Sequence, residues 1–349
     1  MKRVISLLLC IAMLPLVLCC CDSVTDEYTD EMFALDTFIS FKMVGDEDVV
    51  NTTIEKCKSE IKRLEDLLSA TKSSSDVYAI NNANSDKVSV SEETAQLIIK
   101  ACEISKTCNG AFDISVYPLV KLWGFDTKEY LVPKPESIAQ TKALVDYTKV
   151  NVSADSFVSL CEGMSIDLGA IAKGYIGDKL WKIMKQSDIS RGLVNLGGMV
   201  VTCDNSDDYD YTIGVEYPDT GEVFAKYSTE YPFSVTSGAY QRYFEQDGVR
   251  YHHIIDTQSG YPSQSDISSV TVIGNKGVDN DALSTAFFVM GIDKTLEYLN
   301  THTDEDGSNY SVVILNADKS KVYVSQDILD SGFELSANFE EKIEICEIK

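Results

Sequence analysis

The chain is short of positive charge. Its 349 residues carry 30 Lys and Arg against 55 Asp and Glu, a formal net charge of −25. Such a surface repels nucleic acid and anionic lipid headgroups, and an anionic substrate would need a local metal or lysine to offset the field. Several common motifs are missing too. No CxxC pair occurs, so neither a zinc site nor a thioredoxin-type redox centre is suggested. GxGxxG, GxxxxGK[ST], GxSxG and HExxH are absent, which removes the usual phosphate, hydrolase and zinc-protease readings. There is no internal repeat, low-complexity tract or long linker. The apolar run Val4 to Leu18 contains Pro15 and falls short of the roughly 20 residues that a membrane-spanning helix needs.

That run follows Lys2 and Arg3 and leads into Cys19, Cys20 and Cys21, the layout of a secretory signal. A cysteine directly after the apolar region resembles a bacterial lipobox, whose thiol is lipidated and becomes the mature N-terminus. Leu18 at the third position before it and small Cys20 beside it favour Cys21, with Cys20 as the close second. An ordinary cleaved signal is the plainer alternative. The resulting division is a lipoprotein signal peptide over 1–20, an acidic tether over 21–33, and a folded domain over 34–349, whole or as two interlocked subdomains. The expected location is the outer face of the cytoplasmic membrane. The other six cysteines (Cys57, Cys102, Cys108, Cys161, Cys203 and Cys346) are scattered and read mostly as buried thiols, although Cys102 and Cys108 are near enough in sequence to consider a disulfide.

Periodicity predicts an α+β fold, with mixed, largely antiparallel sheets and packed helices. Leu35 to Val44 reads as a strand. Asn51 to Ala70 reads as an amphipathic helix through Ile54, Cys57, Ile61, Leu64 and Leu68. Lys72 to Asp86 reads as a loop. Ser91 caps a helix that Asn109-Gly110 ends, and Pro133 and Pro135 precede another short helix. From Lys149 onward short apolar runs suggest strands over 194–202, 211–217, 233–235, 268–273, 311–315 and 321–324. A hairpin is expected around Gln246-Asp247-Gly248.

Five segments combine glycine, acid and apolar residues in ways that plain secondary structure does not require. Gly110 to Phe125, GAFDISVYPLVKLWGF, places Asp113 in an aromatic run. Ile166 to Leu180, IDLGAIAKGYIGDKL, reads as a strand carrying Asp167 into a helix that bears Lys173. NLGG occupies 195–198 inside apolar flanks, and Ser237 to Pro262 contains His252 and His253. In DNDALSTAF, 279–287, Asp281 and Thr285 lie one above the other on a helix with Ser284 beside them. Each has a bland reading: the NLGG glycines allow a bulge, Asp113 caps, Lys173 is solvated, one histidine is merely exposed, and Asp279 or Asn280 caps while Asp281 complements the dipole.

Taken together and in order, FDISVYPLVKLWGF, DLGAIAKGY, NLGG, SGAYQRYF, HIIDTQSGYP and DALSTA resemble the ApbE family, the FAD:protein FMN transferases, from about Leu35 to Gly291. The resemblance implies an enzyme that moves FMN from FAD, as substrate, to a threonine hydroxyl of a target protein and releases AMP. The implied target is a membrane redox-complex subunit or an extracellular flavoprotein; no nucleic acid is involved. It further implies Mg²⁺ held by Ala170, Asp281, Ser284 and Thr285. FAD would lie against Leu35, Ala111, Phe112, Asp113, Asp167, Lys173 and Ile255. Thr71 stands where the family often has a flavin-contacting tyrosine, and a threonine cannot stack on a ring. His253 is the candidate base, with His252 as the other choice, and Lys173 and Asp281 support the transferred phosphoryl group. The alternatives are an FAD pyrophosphatase, with water in place of threonine, and a non-catalytic FAD-binding lipoprotein.

Overall fold

The computed structural model describes residues 26–84, 86–206, 211–218, 220–303, 307 and 310–348. The signal and lipobox readings therefore lie outside the described residues. Nine strands form the main sheet: β1 (Asp26–Ala34), β2 (Thr37–Gly45), β3 (Arg191–Asn195), β4 (Met199–Asp204), β5 (Phe233–Gly238), β6 (Ile267–Gly274), β7 (Ser311–Asn316), β8 (Lys321–Ser325) and β9 (Glu344–Ile348). Spatial order follows chain order, and every neighbouring pair is antiparallel except β8 with β9. The α+β expectation holds.

Four helices do most to position the site: α1 (Glu47–Leu68), α2 (Glu92–Thr107), α3 (Gly169–Lys185) and α4 (Gly277–Met290). Asp46 caps α1 through the N–H groups of Asp48 and Val49, and its buried stripe runs from Val50 through Ile54, Cys57, Ile61 and Leu64 to Leu68. Ser91 caps α2 as expected, and Asn109 and Gly110, both at positive φ, end it. The main core lies between these helices and one face of the sheet. On the other face, Ile213, Val215, Phe224 and Tyr227 of a three-stranded sheet pack against Ile273, Val313, Leu315 and Val322. No described helix is long and apolar enough to cross a membrane. All six described cysteines are free thiols, three of them buried.

The structure corrects several boundaries. The acidic tether is a strand from Asp26 onward, because its alternation lets Tyr28 and Met32 pack on the core while Glu27 and Glu31 face outward; Asp30, on the inner face, pairs with Lys58 of α1. The single strand expected over 194–202 is two strands, with NLGG as their turn and Gly197 and Gly198 at positive φ. Ile166 and Asp167 are not in a strand: the Asn81 side chain brackets the Ile166 N–H and C=O, and Ile114 accepts the Asp167 N–H. A short helix, Asp76–Asn81, interrupts the expected loop.

Candidate functional site

A cavity of about 600 Å³ opens where the N-terminal turn of α3, one face of α4, the β1–β2 turn, the NLGG turn and the segments 111–116, 240–242 and 253–257 converge. Of the residues singled out by sequence, Leu35, Ala111, Phe112, Asp113, Asp167, Ala170, Lys173, His253, Ile255, Asp281 and Thr285 line it. Thr71 and Ser284 do not.

The cavity exists because α3 and α4 cross almost backbone to backbone. A Cβ on Gly174 would stand 2.2 Å from the Gly277 carbonyl oxygen, and one on Gly277 would stand 2.6 Å from that of Gly174. Only glycine permits this approach. It brings Asp281 onto α3, where Oδ2 accepts the Gly174 N–H at 2.8 Å. In a regular helix that N–H serves the carbonyl four residues earlier, which is Ala170. Asp279 and Asn280 do not cap α4, which starts at Gly277 with no cap from its own side chains. Asp178 of α3 caps it across the interface, accepting the N–H groups of Gly277 at 2.8 Å and Val278 at 3.1 Å. Asp279 pairs instead with Lys100 of α2 at 2.8 Å, and Asn280 donates to the Phe233 carbonyl.

These contacts decide which polar groups of α4 face the cavity. Asp281 is buried, and no ion pair reaches it among the described residues; desolvation raises its pKa, opposed by Lys173 and by the N–H groups of Gly174 and Lys173. Thr285 lies one turn on, half-buried at the cavity wall. Ser284 turns inward, its hydroxyl donating to the Asp281 carbonyl and bonded to Ser237 Oγ, each at 2.8 Å. A buried carboxylate without a direct counter-charge, a hydroxyl on the same helix face and a nearby helix-start carbonyl form a hard-oxygen set that fits a divalent cation. Ser284 is the member whose side chain points elsewhere. No cluster of three His, Cys, Asp or Glu side chains suited to a metal occurs among the described residues, so any metal here would rest on this mixed set.

The other walls carry charge and shape. Lys173 and Arg242 are the cations of the lining. Arg242 was legible in SGAYQRYF as a cation in a notably acidic chain, yet it was not singled out; its guanidinium donates to the Phe125 carbonyl at 3.0 Å. His253 and His252 alternate across the strand end, and packing separates them. His252 is buried edge-on against Phe288, with Nε2 2.9 Å from the Ser263 carbonyl. His253 lines the cavity with Nδ1 3.1 Å from the Arg242 carbonyl, so Nδ1 carries the proton and Nε2 keeps its lone pair. Desolvation first, then the Arg242 charge, pushes its pKa down to about 3.

Asp113 braces the loop. Its Oδ1 accepts from the Ser115 N–H and hydroxyl, and its Oδ2 accepts from the Tyr147 N–H. Desolvation raises the Asp167 pKa, while the Gly169 N–H bonded at 2.9 Å, Arg242 and Lys173 oppose that rise. Leu35 and Asp36 form a two-residue turn with φ of 54° and 59°, the mirror-image type that strand twist favours. The Leu35 N–H is held by Glu65 at 2.8 Å. Thr71 is exposed, its hydroxyl turned to Ser69.

Comparison with known proteins agrees with this assembly of segments. A curated FAD:protein FMN transferase of Klebsiella pneumoniae (strain 342) is 35% identical over 284 residues, spanning 79% of this chain and 87% of its own length. One from Treponema pallidum (strain Nichols) is 32% identical over 309 residues, with 83% and 84% covered. The crystal structure of the ApbE protein from Thermotoga maritima MSB8 superposes with a TM-score of 0.77 at 32% identity, covering 91% of this chain and 99% of that one. With the family's sequence model matching residues 35–307, the chain belongs to the ApbE family.

Proposed function

We propose that this protein is an FAD:protein FMN transferase that uses Mg²⁺ and a threonine hydroxyl of a target flavoprotein. The observation that carries the reading is the convergence of Asp281, Thr285 and the Ala170 carbonyl with Lys173, Arg242 and His253 around one cavity. The hydroxyl oxygen bonds to the flavin-side phosphorus of the pyrophosphate, the bond to the bridging oxygen breaks, and AMP departs. FMN remains joined to the target as a phosphoester. Asp281, Thr285 and Ala170 would hold the Mg²⁺, which when bound neutralises charge on the pyrophosphate. Lys173 and Arg242 attract the same anion, which matters in a chain of net charge −25. His253 Nε2 accepts the hydroxyl proton, and an anionic diphosphate bound near it would raise its proton affinity. Asp167 and Lys173 address FAD, with Leu35, Ala111, Phe112, Asp113 and Ile255 supplying shape.

The test is incubation of the exported domain with FAD, Mg²⁺ and a flavoprotein subunit bearing a Ser/Thr-Gly-Ala-Thr acceptor motif. Intact mass should rise by FMN less water on the acceptor, with AMP released in equal amount. AMP and free FMN without a protein adduct would make the protein a pyrophosphatase. The lipobox-like Leu18–Cys21 supports an exported, lipid-anchored protein. Replacing both Cys20 and Cys21 with Ala should release it from membranes or leave unprocessed precursor, and unchanged retention of a cleaved, unlipidated chain would count against the anchor.

A further inference from the structure

Exposed apolar side chains flank the cavity mouth on two sides, and no role in the core or in the site described above falls to them. On one side is the β1–β2 hairpin, whose turn at Leu35 and Asp36 lines the cavity. Along its outward face the side chains are polar, with Glu27, Thr29 and Glu31 on β1 and Ser40 and Lys42 on β2. At the tip that face changes. Phe33 and Phe38 stand opposite each other, edge to face at 5.3 Å, and are 63% and 75% exposed. Their inward neighbours Ala34 and Ile39 supply the core contact, so packing of the hairpin asks for no ring at 33 or 38.

On the other side lie the 125–131 loop and the hairpin formed by Tyr243–Gln246 and Val249–His252. Lys128 reaches from that loop to the β1–β2 turn, its Nζ 3.8 Å from Asp36 Oδ1, so the two sides are neighbours. Tyr130 stacks on Phe244 at 5.1 Å, and Leu131 beside it is 49% exposed. Tyr130 and Tyr243 are exposed as well. Arg242 and His253, which line the cavity, are the residues immediately before and after this hairpin. Phe33, Tyr130, Leu131 and Tyr243 do not line it, so a ligand held inside the cavity leaves them uncovered.

We propose that these side chains, Phe33 and Phe38 on one side and Tyr130, Leu131 and Tyr243 on the other, form the docking surface for the acceptor protein, which meets them with apolar side chains flanking its threonine. The hydroxyl must come to His253 Nε2, at the base of the second hairpin, so the protein that carries it has to lie over the mouth. Interface centres are enriched in aromatic residues and depleted of Lys, Glu and Asp, and a few buried anchors carry most of the binding energy. A bilayer is the poorer occupant, because a chain of net charge −25 is repelled by anionic lipid. The inference rests on the transferase reading and names the surface by which such an enzyme holds its protein substrate.

The test compares variants of the whole exported protein with the same flavoprotein subunit as acceptor. Phe33→Thr keeps a strand-forming residue, and Leu131→Ser changes a loop position. The double variant should lower kcat/KM for the acceptor at least about tenfold, while Kd for FAD stays within about twofold and Tm is unchanged. Phe157→Thr is the control: that phenylalanine is exposed on a short strand outside the cavity lining, and its loss should leave kcat/KM as it was. Wild-type kcat/KM in the double variant overturns the proposal. So does a matching loss of FAD affinity, which assigns the mouth to the flavin, and so does an equal defect in Phe157→Thr. If the wild-type protein forms no FMN adduct on the acceptor at all, the transferase reading fails first, and the docking surface falls with it.

Discussion

Gly174→Ala tests the helix crossing that builds the site. The added methyl meets the Gly277 carbonyl oxygen at 2.2 Å and the Asp281 Cβ at 2.7 Å, both on a rigid helix, so α3 and α4 must part. Overpacking of this kind costs about 1–3 kcal/mol. Parting also weakens the charge-assisted bond from Gly174 N–H to Asp281, worth about 1.5–3 kcal/mol. Alanine's better helix propensity returns about 1 kcal/mol. The net loss is therefore about 1.5–5 kcal/mol, a fall in Tm of roughly 2–7 °C for a chain of this size. Gly177→Ala on the same helix is the matched control. Its methyl meets the Cε of Met199 at 2.3 Å, the far end of a buried but rotatable side chain, and moving that side chain off its rotamer costs about 0.5–1.5 kcal/mol, close to the propensity gain. Thermal unfolding without added metal should separate the two variants clearly, and Gly174→Ala alone should weaken Mg²⁺ binding in calorimetry. Equal Tm values for the two variants would refute the argument from the crossing.

Asp281→Asn keeps the side chain's size but removes the formal charge of the proposed cation site; FMN transfer should fall by orders of magnitude with little change in Tm without metal, and EDTA should silence the wild type until Mg²⁺ is restored. A fully active Asp281→Asn protein indifferent to EDTA would return the residue to a structural role. Asp178→Ala removes the cross-helix cap of α4 and should cost about 0.5–2 kcal/mol by urea unfolding, while Asp178→Asn, which keeps an acceptor, should recover more than half of that. His253 has its pKa lowered from 6.5 to about 3 on folding, so between those values the unfolded chain takes a proton that the folded one refuses. Stability should therefore fall as pH drops through that window, and His253→Gln should flatten the decline; parallel unfolding curves for the two proteins from pH 7 to pH 5 would show that this imidazole contributes nothing.

Where a neighbour in sequence supplies the partner, the sequence alone determined the structure. Ser91 caps α2 through an N–H three residues away, Asn109 and Gly110 end that helix in the conformation their side chains allow, and Asp247-Gly248 turns its hairpin at positive φ. The ordered motif series likewise located most of the cavity wall, because it names the residues that converge there. Tertiary structure decided everything that depends on a partner far along the chain. The cap of α4 comes from Asp178, ninety-nine residues before Gly277, so a local reading gave the role to Asp279 or Asn280. Asp279 looks like a cap or a ligand until Lys100 is brought beside it. Adjacent His252 and His253 are equivalent in sequence, and only the packing of Phe288 under one and the opening of the cavity beside the other separates them. Ser284 and Thr285 differ by one residue, about 100° around the helix, which is enough to turn one hydroxyl toward Ser237 and the other to the cavity. A one-dimensional pattern specifies which face a residue occupies relative to its neighbours; what stands opposite that face is set by the fold.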